Sequence, residues 1–214
     1  MPDPHHTTRL GELVDIVSGY SARGRIEADE DADYALLQTG DVDEYGGFDP
    51  NEIEPSVVVS KGGRDPLEPR DRHLLREGDV LYASLGGTLG GRRRAALVET
   101  DPGEIAASAT FFIIRVADAD QLDPGYLAWY LDQAHAVAYL DALSTGPGRV
   151  SKSALESLTI SIPPVHTQRA IAQLARLAAD ERQLAEEQSE LRWRLIHSQL
   201  LDLATGRVTT DFDS

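Results

Sequence analysis

Three groups of cations in this 214-residue sequence have the side-chain types that hold anions. Arg92, Arg93 and Arg94 follow the glycine-rich stretch Gly86-Gly87-Thr88-Leu89-Gly90-Gly91. One guanidinium can grip two phosphate oxygens, or the O6/N7 edge of guanine, in a single fork. Three successive arginines in an extended strand cannot all face one way, so one or two of them point elsewhere. Lys61 and Arg64 flank Gly62-Gly63, which gives two cations on a turn with close backbone access. Arg149, Ser151 and Lys152 follow Gly146-Pro147-Gly148 and offer two charges and a hydroxyl to a phosphate. Tyr20 and Tyr45 lie beside glycines and could stack on a base. Each group also has a plainer reading: a solvated turn, a hairpin tip, a loop packed on its domain, or ion pairs within an acidic protein.

Catalytic patterns are missing from the sequence. The glycines at 86–91 are not followed by Lys-Ser or Lys-Thr, so they do not form a phosphate loop. Cysteine is absent, which excludes disulfides, thiolate metal sites and thiol nucleophiles. His5-His6 is an adjacent pair with poor metal geometry, and the other histidines are scattered. Asp29 to Asp33 lacks the glycine and late glutamate of a calcium loop and reads as a solvated acidic segment. There is no Asn-Pro-Pro-aromatic tetrapeptide, so the chain is not expected to methylate an amine itself. The expectation is a non-catalytic protein without a metal.

The formal net charge is −16, yet it is unevenly spread. Residues 1–60 carry 3 basic groups against 14 acidic, while residues 61–96 carry 8 against 5. One positive island therefore sits in a negative chain. Nucleic-acid binders are usually basic overall, so the acidity has three competing readings. It is an adaptation to a salty cytoplasm, supported by 2 Lys against 18 Arg; or a surface for a basic partner; or mimicry of nucleic acid. No apolar run reaches the ~20 residues that span a bilayer, and the N-terminus does not resemble a signal peptide. A cytoplasmic protein with no membrane association is expected.

Local patterns predict short strands mixed with a few helices over residues 8–163, an α+β class. Apolar residues at 10, 13, 14 and 17 behind Thr8 predict a short helix. Strands are expected at 34–38, 57–59, about 80–83, 95–98, 109–116 and 158–162. The acidic run 27–33 is expected to be a loop. One helix is expected from Pro124 to about Leu143, with Pro in its first turn, and a short one from Ser153. After Pro163-Pro164 the pattern changes. Leu174, Leu177, Glu181, Leu184, Gln188, Leu191, Leu195 and Ser198 recur at alternating spacings of three and four, a heptad seam with polar interruptions. Such a helix would run roughly 57 Å from Thr167 to Ala204 at ~1.5 Å per residue. Its stripe needs a partner helix, from a second copy or another subunit; a fold back onto its own domain is the alternative.

Several segments together resemble a known family. They are Leu10-Gly11-Glu12-Leu13 with Ile16 and Gly19; Leu75-Arg76-Glu77-Gly78-Asp79-Val80-Leu81 before the glycine turn; Phe112-Ile113-Ile114-Arg115; Tyr126-Leu127-Ala128-Trp129-Tyr130-Leu131; Thr145 to Ser151; and Leu158 through Gln168, with Leu195, Leu200 and Thr205-Gly206. In order and spacing they resemble the DNA-specificity subunits of type I restriction–modification systems, in a half-length form. Thr167 stands where the family usually has an acidic residue. The resemblance implies a mixed, barrel-like target-recognition domain over 8–163, between a flexible N-terminus (1–7) and a coiled-coil spacer and dimerisation helix (164–206) with a flexible tail (207–214). It implies double-stranded DNA as ligand and a homodimer reading a split site. It further implies a docked DNA adenine methyltransferase subunit carrying S-adenosylmethionine, a translocase–nuclease subunit as a possible addition, and a role in phage defence. An acidic protein-binding or DNA-mimicking regulator on the same fold is the alternative.

Overall fold

The computed structural model describes residues 6–84, 89, 94–144 and 148–205. Two compact units are present, residues 1–174 and 175–214. In the first, a central sheet is ordered β2 (Val14–Ser18), β10 (Phe111–Val116), β7 (Val80–Ala83) and β8 (Ala95–Leu97), all antiparallel. β1 (His6–Arg9) pairs with β11 (Thr159–Ile162). β3 (Arg25–Ala28), β5 (Ser56–Ser60) and β6 (Gly63–Pro66) form a second antiparallel sheet. β4 (Ala35–Leu37) and β9 (Ile105–Ala107) are a parallel pair.

The central strands are apolar on both faces because both faces are covered. Val80, Tyr82 and Ile114 meet one core with Leu10, Leu127, Leu131, Leu140 and Leu155. Leu81, Ala83, Phe111 and Ile113 meet a second with Leu37, Leu75, Leu89 and Ile105. The first core is closed by α1 (Pro124–Leu131), α2 (Ala134–Ala142) and α3 (Lys152–Ser157). Each fully buried Leu or Ile contributes roughly 1.5–3 kcal/mol.

A buried ion pair crosses the central sheet. Arg115 Nε donates to Asp79 Oδ1 at 3.0 Å, and its Nη2 reaches Asp79 Oδ2 at 3.2 Å and the Leu74 carbonyl at 2.6 Å. Asp79 Oδ2 also accepts from the Arg76 N–H at 3.0 Å. Gly78, at φ +86°, makes the turn that delivers Asp79 there. The Leu75–Asp79 segment is therefore a structural turn that leads into β7.

The helix predicted over 8–17 is instead β1, a one-turn 3₁₀ helix at Leu10–Glu12, and β2. Pairing with β11 and β10 overrides the local spacing. Residues 6 and 7, expected in a flexible terminus, belong to β1; residues 1–5 and the tail 207–214 lie outside the described residues. The single helix expected over 124–143 is two, because Asp132 leaves the helix and accepts the Arg94 and Ala95 N–H groups. β3 occupies Arg25–Ala28, at the start of the expected acidic loop, and β6 occupies part of an expected turn.

The last helix, α4, runs unbroken from Val165 to Ala204. Its first turns belong to the first unit. Gln168 is fully buried there: its Oε1 accepts from the Asp123 N–H at 2.9 Å, and its Nε2 donates to the Gln121 and Pro163 carbonyls at 2.9 and 2.8 Å. Asp123 in turn caps α1 by accepting from the Tyr126 N–H at 2.8 Å. Tyr126, its hydroxyl pushed up to about 12 by burial and by Tyr130, donates to the Ser161 carbonyl. Replacing Gln168 by Leu leaves these three backbone groups unpaired. The expected loss is about 2–4 kcal/mol, read as a lower urea midpoint, with Gln168→Glu unable to restore the two donor bonds.

Candidate nucleic-acid interface

The cations singled out in the sequence do not share one fate. Arg94 is committed internally. Both its terminal nitrogens bond the two Asp141 oxygens, and its side chain is only 19 % exposed. The Tyr82 hydroxyl lies beside it, and burial raises that hydroxyl above its usual range. Arg94 thus ties the start of β8 to α2, and its charge is not offered to an external anion. Arg92 and Arg93 lie outside the described residues, as does most of the glycine stretch before them.

The anchors of that stretch are described. The Ala83 N–H bonds the Arg94 carbonyl at 2.8 Å, so the segment connects the ends of β7 and β8. The Val150 N–H bonds the Ser84 carbonyl at 3.0 Å. Arg149, which is exposed, therefore stands beside the root of the connection carrying Arg92 and Arg93. Ser151 is occupied as the N-cap of α3, accepting from the Ala154 N–H at 3.1 Å. Lys152 pairs with Glu156 at 3.6 Å, an exposed pair of the kind worth ~0–1 kcal/mol.

Lys61 and Arg64 sit on the β5–β6 hairpin and are exposed. Ser60 Oγ holds the Gly62 N–H at 3.1 Å, which fixes the tip, and Arg64 reaches Asp29 at 3.0 Å. Tyr20 is half-buried. Its ring packs 5.8 Å from His73, and its hydroxyl accepts from the Glu68 N–H at 3.4 Å. His73 is held below its usual pKa by burial, then by Arg72, Arg70 and Arg115. Tyr20 is therefore spent on packing here. Among the described residues no three His, Asp or Glu side chains converge on a possible metal site.

Sequence reasoning missed two cations, Arg23 and Arg25. They lie where residues 1–60 are otherwise dominated by acids, and β3 was not expected. The Arg-Gly-Arg alternation at 23–25 was the available signal.

In the second unit α4 leaves its leucines bare. Leu174, at the end of the first unit, and Leu177, Leu184, Leu191 and Leu195 are each 55–67 % exposed. Glu181 and Gln188 interrupt the same stripe. On the polar sides Arg182 pairs with Glu186 and Arg194 with Glu190, each four residues apart. Trp193, Ile196, Leu200 and Leu203 are also exposed, at spacings of three and four. They form a second stripe, away from the heptad seam. No helix among the described residues is long and apolar enough to cross a membrane.

No protein-family model and no curated protein matches the sequence. Solved structures do. The HsdS subunit from Thermoanaerobacter tengcongensis superposes with a TM-score of 0.55 at 19 % identity, over 94 % of this chain and 45 % of its own. A chain from a structural study of complex assembly and conformational transition in the type I R-M system gives 0.56 at 21 %, over 94 % and 46 %. The type I restriction–modification S subunit from M. genitalium gives 0.51 at 16 %, over 93 % and 45 %. The chain spans about half the length of these structures.

The Arg94 assignment is testable by stability alone. Arg94→Leu is expected to cost about 1.5–3 kcal/mol, the range for hydrogen bonds to charged groups, with Asp141→Asn giving a smaller loss of the same sign in thermal denaturation. Equal melting temperatures for Arg94→Leu and wild type would free Arg94 for an external ligand. In fold, this chain is an α+β protein of the kind seen in type I restriction–modification S subunits, matching them over about half of their length.

Proposed function

We propose that this chain is a non-catalytic, sequence-specific DNA-recognition subunit of a type I restriction–modification or related phage-defence complex. It would dimerise through α4 to read a split DNA site. The observation that carries the reading is the bare leucine seam on a helix rooted in a domain with the S-subunit fold. Five leucines this exposed leave unrealised the roughly 1.5–3 kcal/mol that burying each against a partner would contribute. The polar seam positions Glu181 and Gln188 suit a two-helix coil, in which buried polar groups fix register at some cost in stability.

A second copy is the simplest partner, because one two-fold axis then places two recognition domains on inverted half-sites. Methyl transfer would belong to a docked DNA adenine methyltransferase subunit, which would hold S-adenosylmethionine. The second stripe, Trp193 to Leu203, gives the helix end more apolar surface than a two-helix seam covers, which supports such docking. A translocase–nuclease subunit is an optional further member of such an assembly.

The test is the solution mass of the full chain. Sedimentation equilibrium is expected to give twice 23.3 kDa. Leu184→Asp with Leu191→Asp is expected to give the monomer with an unchanged near-UV spectrum of the recognition domain. A wild-type monomer at tens of micromolar would overturn the homodimer.

A further inference from the structure

The outer face of the β3–β5–β6 sheet gathers cations that are far apart in the sequence. Arg25 is paired with Val59, and Val59 with Arg64. Residues paired across strands share a face, and residues two apart along a strand return to it. Past this last pair the chain continues to Arg23 on one side and to Lys61, in the β5–β6 turn, on the other. Arg25 and Arg64 therefore share one face with the half-buried Val59, while Lys61 stands at the adjoining hairpin tip and Arg23 just before β3. Ile26 and Val58 point the other way, into a core with Leu36, Leu67 and Ala106. All four cations are exposed.

Gly24 makes the arrangement possible. A Cβ there would lie 2.5 Å from the Val59 carbonyl oxygen and 2.7 Å from Val58 Cγ1. Only glycine lets residues 23–25 lie this close to β5.

The charge distribution sets this face apart. Residues 1–60 hold three arginines and 14 acids, and two of those three arginines are here. The acids that pair with the face are Glu27, 3.7 Å from Arg25, and Asp29, 3.0 Å from Arg64. Both pairs are open to water, where such contacts are worth ~0–1 kcal/mol. Either guanidinium can exchange its carboxylate for a phosphate at little cost. The face presents only charged donors, with no Asn or Gln amide to read adenine. That composition suits backbone positioning rather than base discrimination.

We propose that this face grips the DNA sugar–phosphate backbone, with Arg23 and Arg25 as phosphate contacts beside Lys61 and Arg64. The proposal rests on the DNA-recognition reading above. Its test is a titration of the full chain with a fluorescent 30-base-pair duplex of mixed sequence at several salt concentrations. Each phosphate contact contributes about 0.9 to the slope of log affinity against log salt. Arg23→Gln with Arg25→Gln is expected to flatten that slope by about 1.8 for each recognition domain on the duplex, at unchanged melting temperature. Arg182→Gln with Arg194→Gln, on the polar sides of α4, is expected to leave it unaltered. A wild-type slope retained by the Arg23/Arg25 variant would overturn this face as the contact while leaving DNA recognition standing. No salt-dependent binding by the wild-type chain would overturn the recognition reading itself.

Discussion

The structure depends on how one buried amide roots the long helix. Gln168 spends its carbonyl on the N-terminus of α1 and its amino group on two carbonyls, one of them at the end of β11. A primary amide is the neutral side chain that can accept at one end and donate twice at the other. The alternative to these bonds is three unpaired backbone groups inside the domain, which is why the position is demanding. Gly125 supports the same junction, since a Cβ there would stand 3.0 Å from the Ala172 Cβ. Ile171 adds apolar contact with the first core. The first turns of α4 are thus held in the first unit by hydrogen bonds and by apolar packing.

Charge is used in two different ways. Asp79 with Arg115 is a largely buried pair between strands, and Arg94 with the half-exposed Asp141 ties β8 to α2. Removing one partner of a buried pair is strongly destabilising, because the other charge is left without compensation. These arginines add to the positive count of the sequence, but their charges are already compensated by carboxylates. The cations on the β3–β5–β6 face are solvated and loosely paired. A small positive face on a chain of net charge −16 would bind a polyanion with strong salt dependence and in a restricted orientation, since the rest of the acidic surface repels it.

The sequence made some of this readable and hid the rest for physical reasons. The α4 helix was legible because its spacing of three and four runs on without a glycine or proline from Val165 to Ala204. β4, β5 and β10 were legible as β-branched or fully apolar runs between turn signals. Residues 8–17 misled because their apolar spacing suits a helix, while the interactions that win come from strands about 100 and 150 residues away. The break between α1 and α2 contains no glycine or proline. It follows from Asp132 serving two N–H groups at the start of β8. Arg94 looked like its two neighbours, and its partner lies 47 residues on. The Arg23–Arg25 face was invisible for the same reason, being made by a register between distant segments.

If, as proposed, this chain selects DNA sites for a methyltransferase, the methylation pattern of the cell depends on its gene. Base-resolved mapping of adenine methylation in cells with and without the gene tests it most directly. The account predicts loss of methylation at one split, palindromic motif, because a symmetric dimer reads inverted half-sites. Loss at a split but non-palindromic motif would keep the recognition role and replace the second copy with a different partner half. An unchanged methylation pattern would contradict the account and favour a regulator acting through its acidic surface.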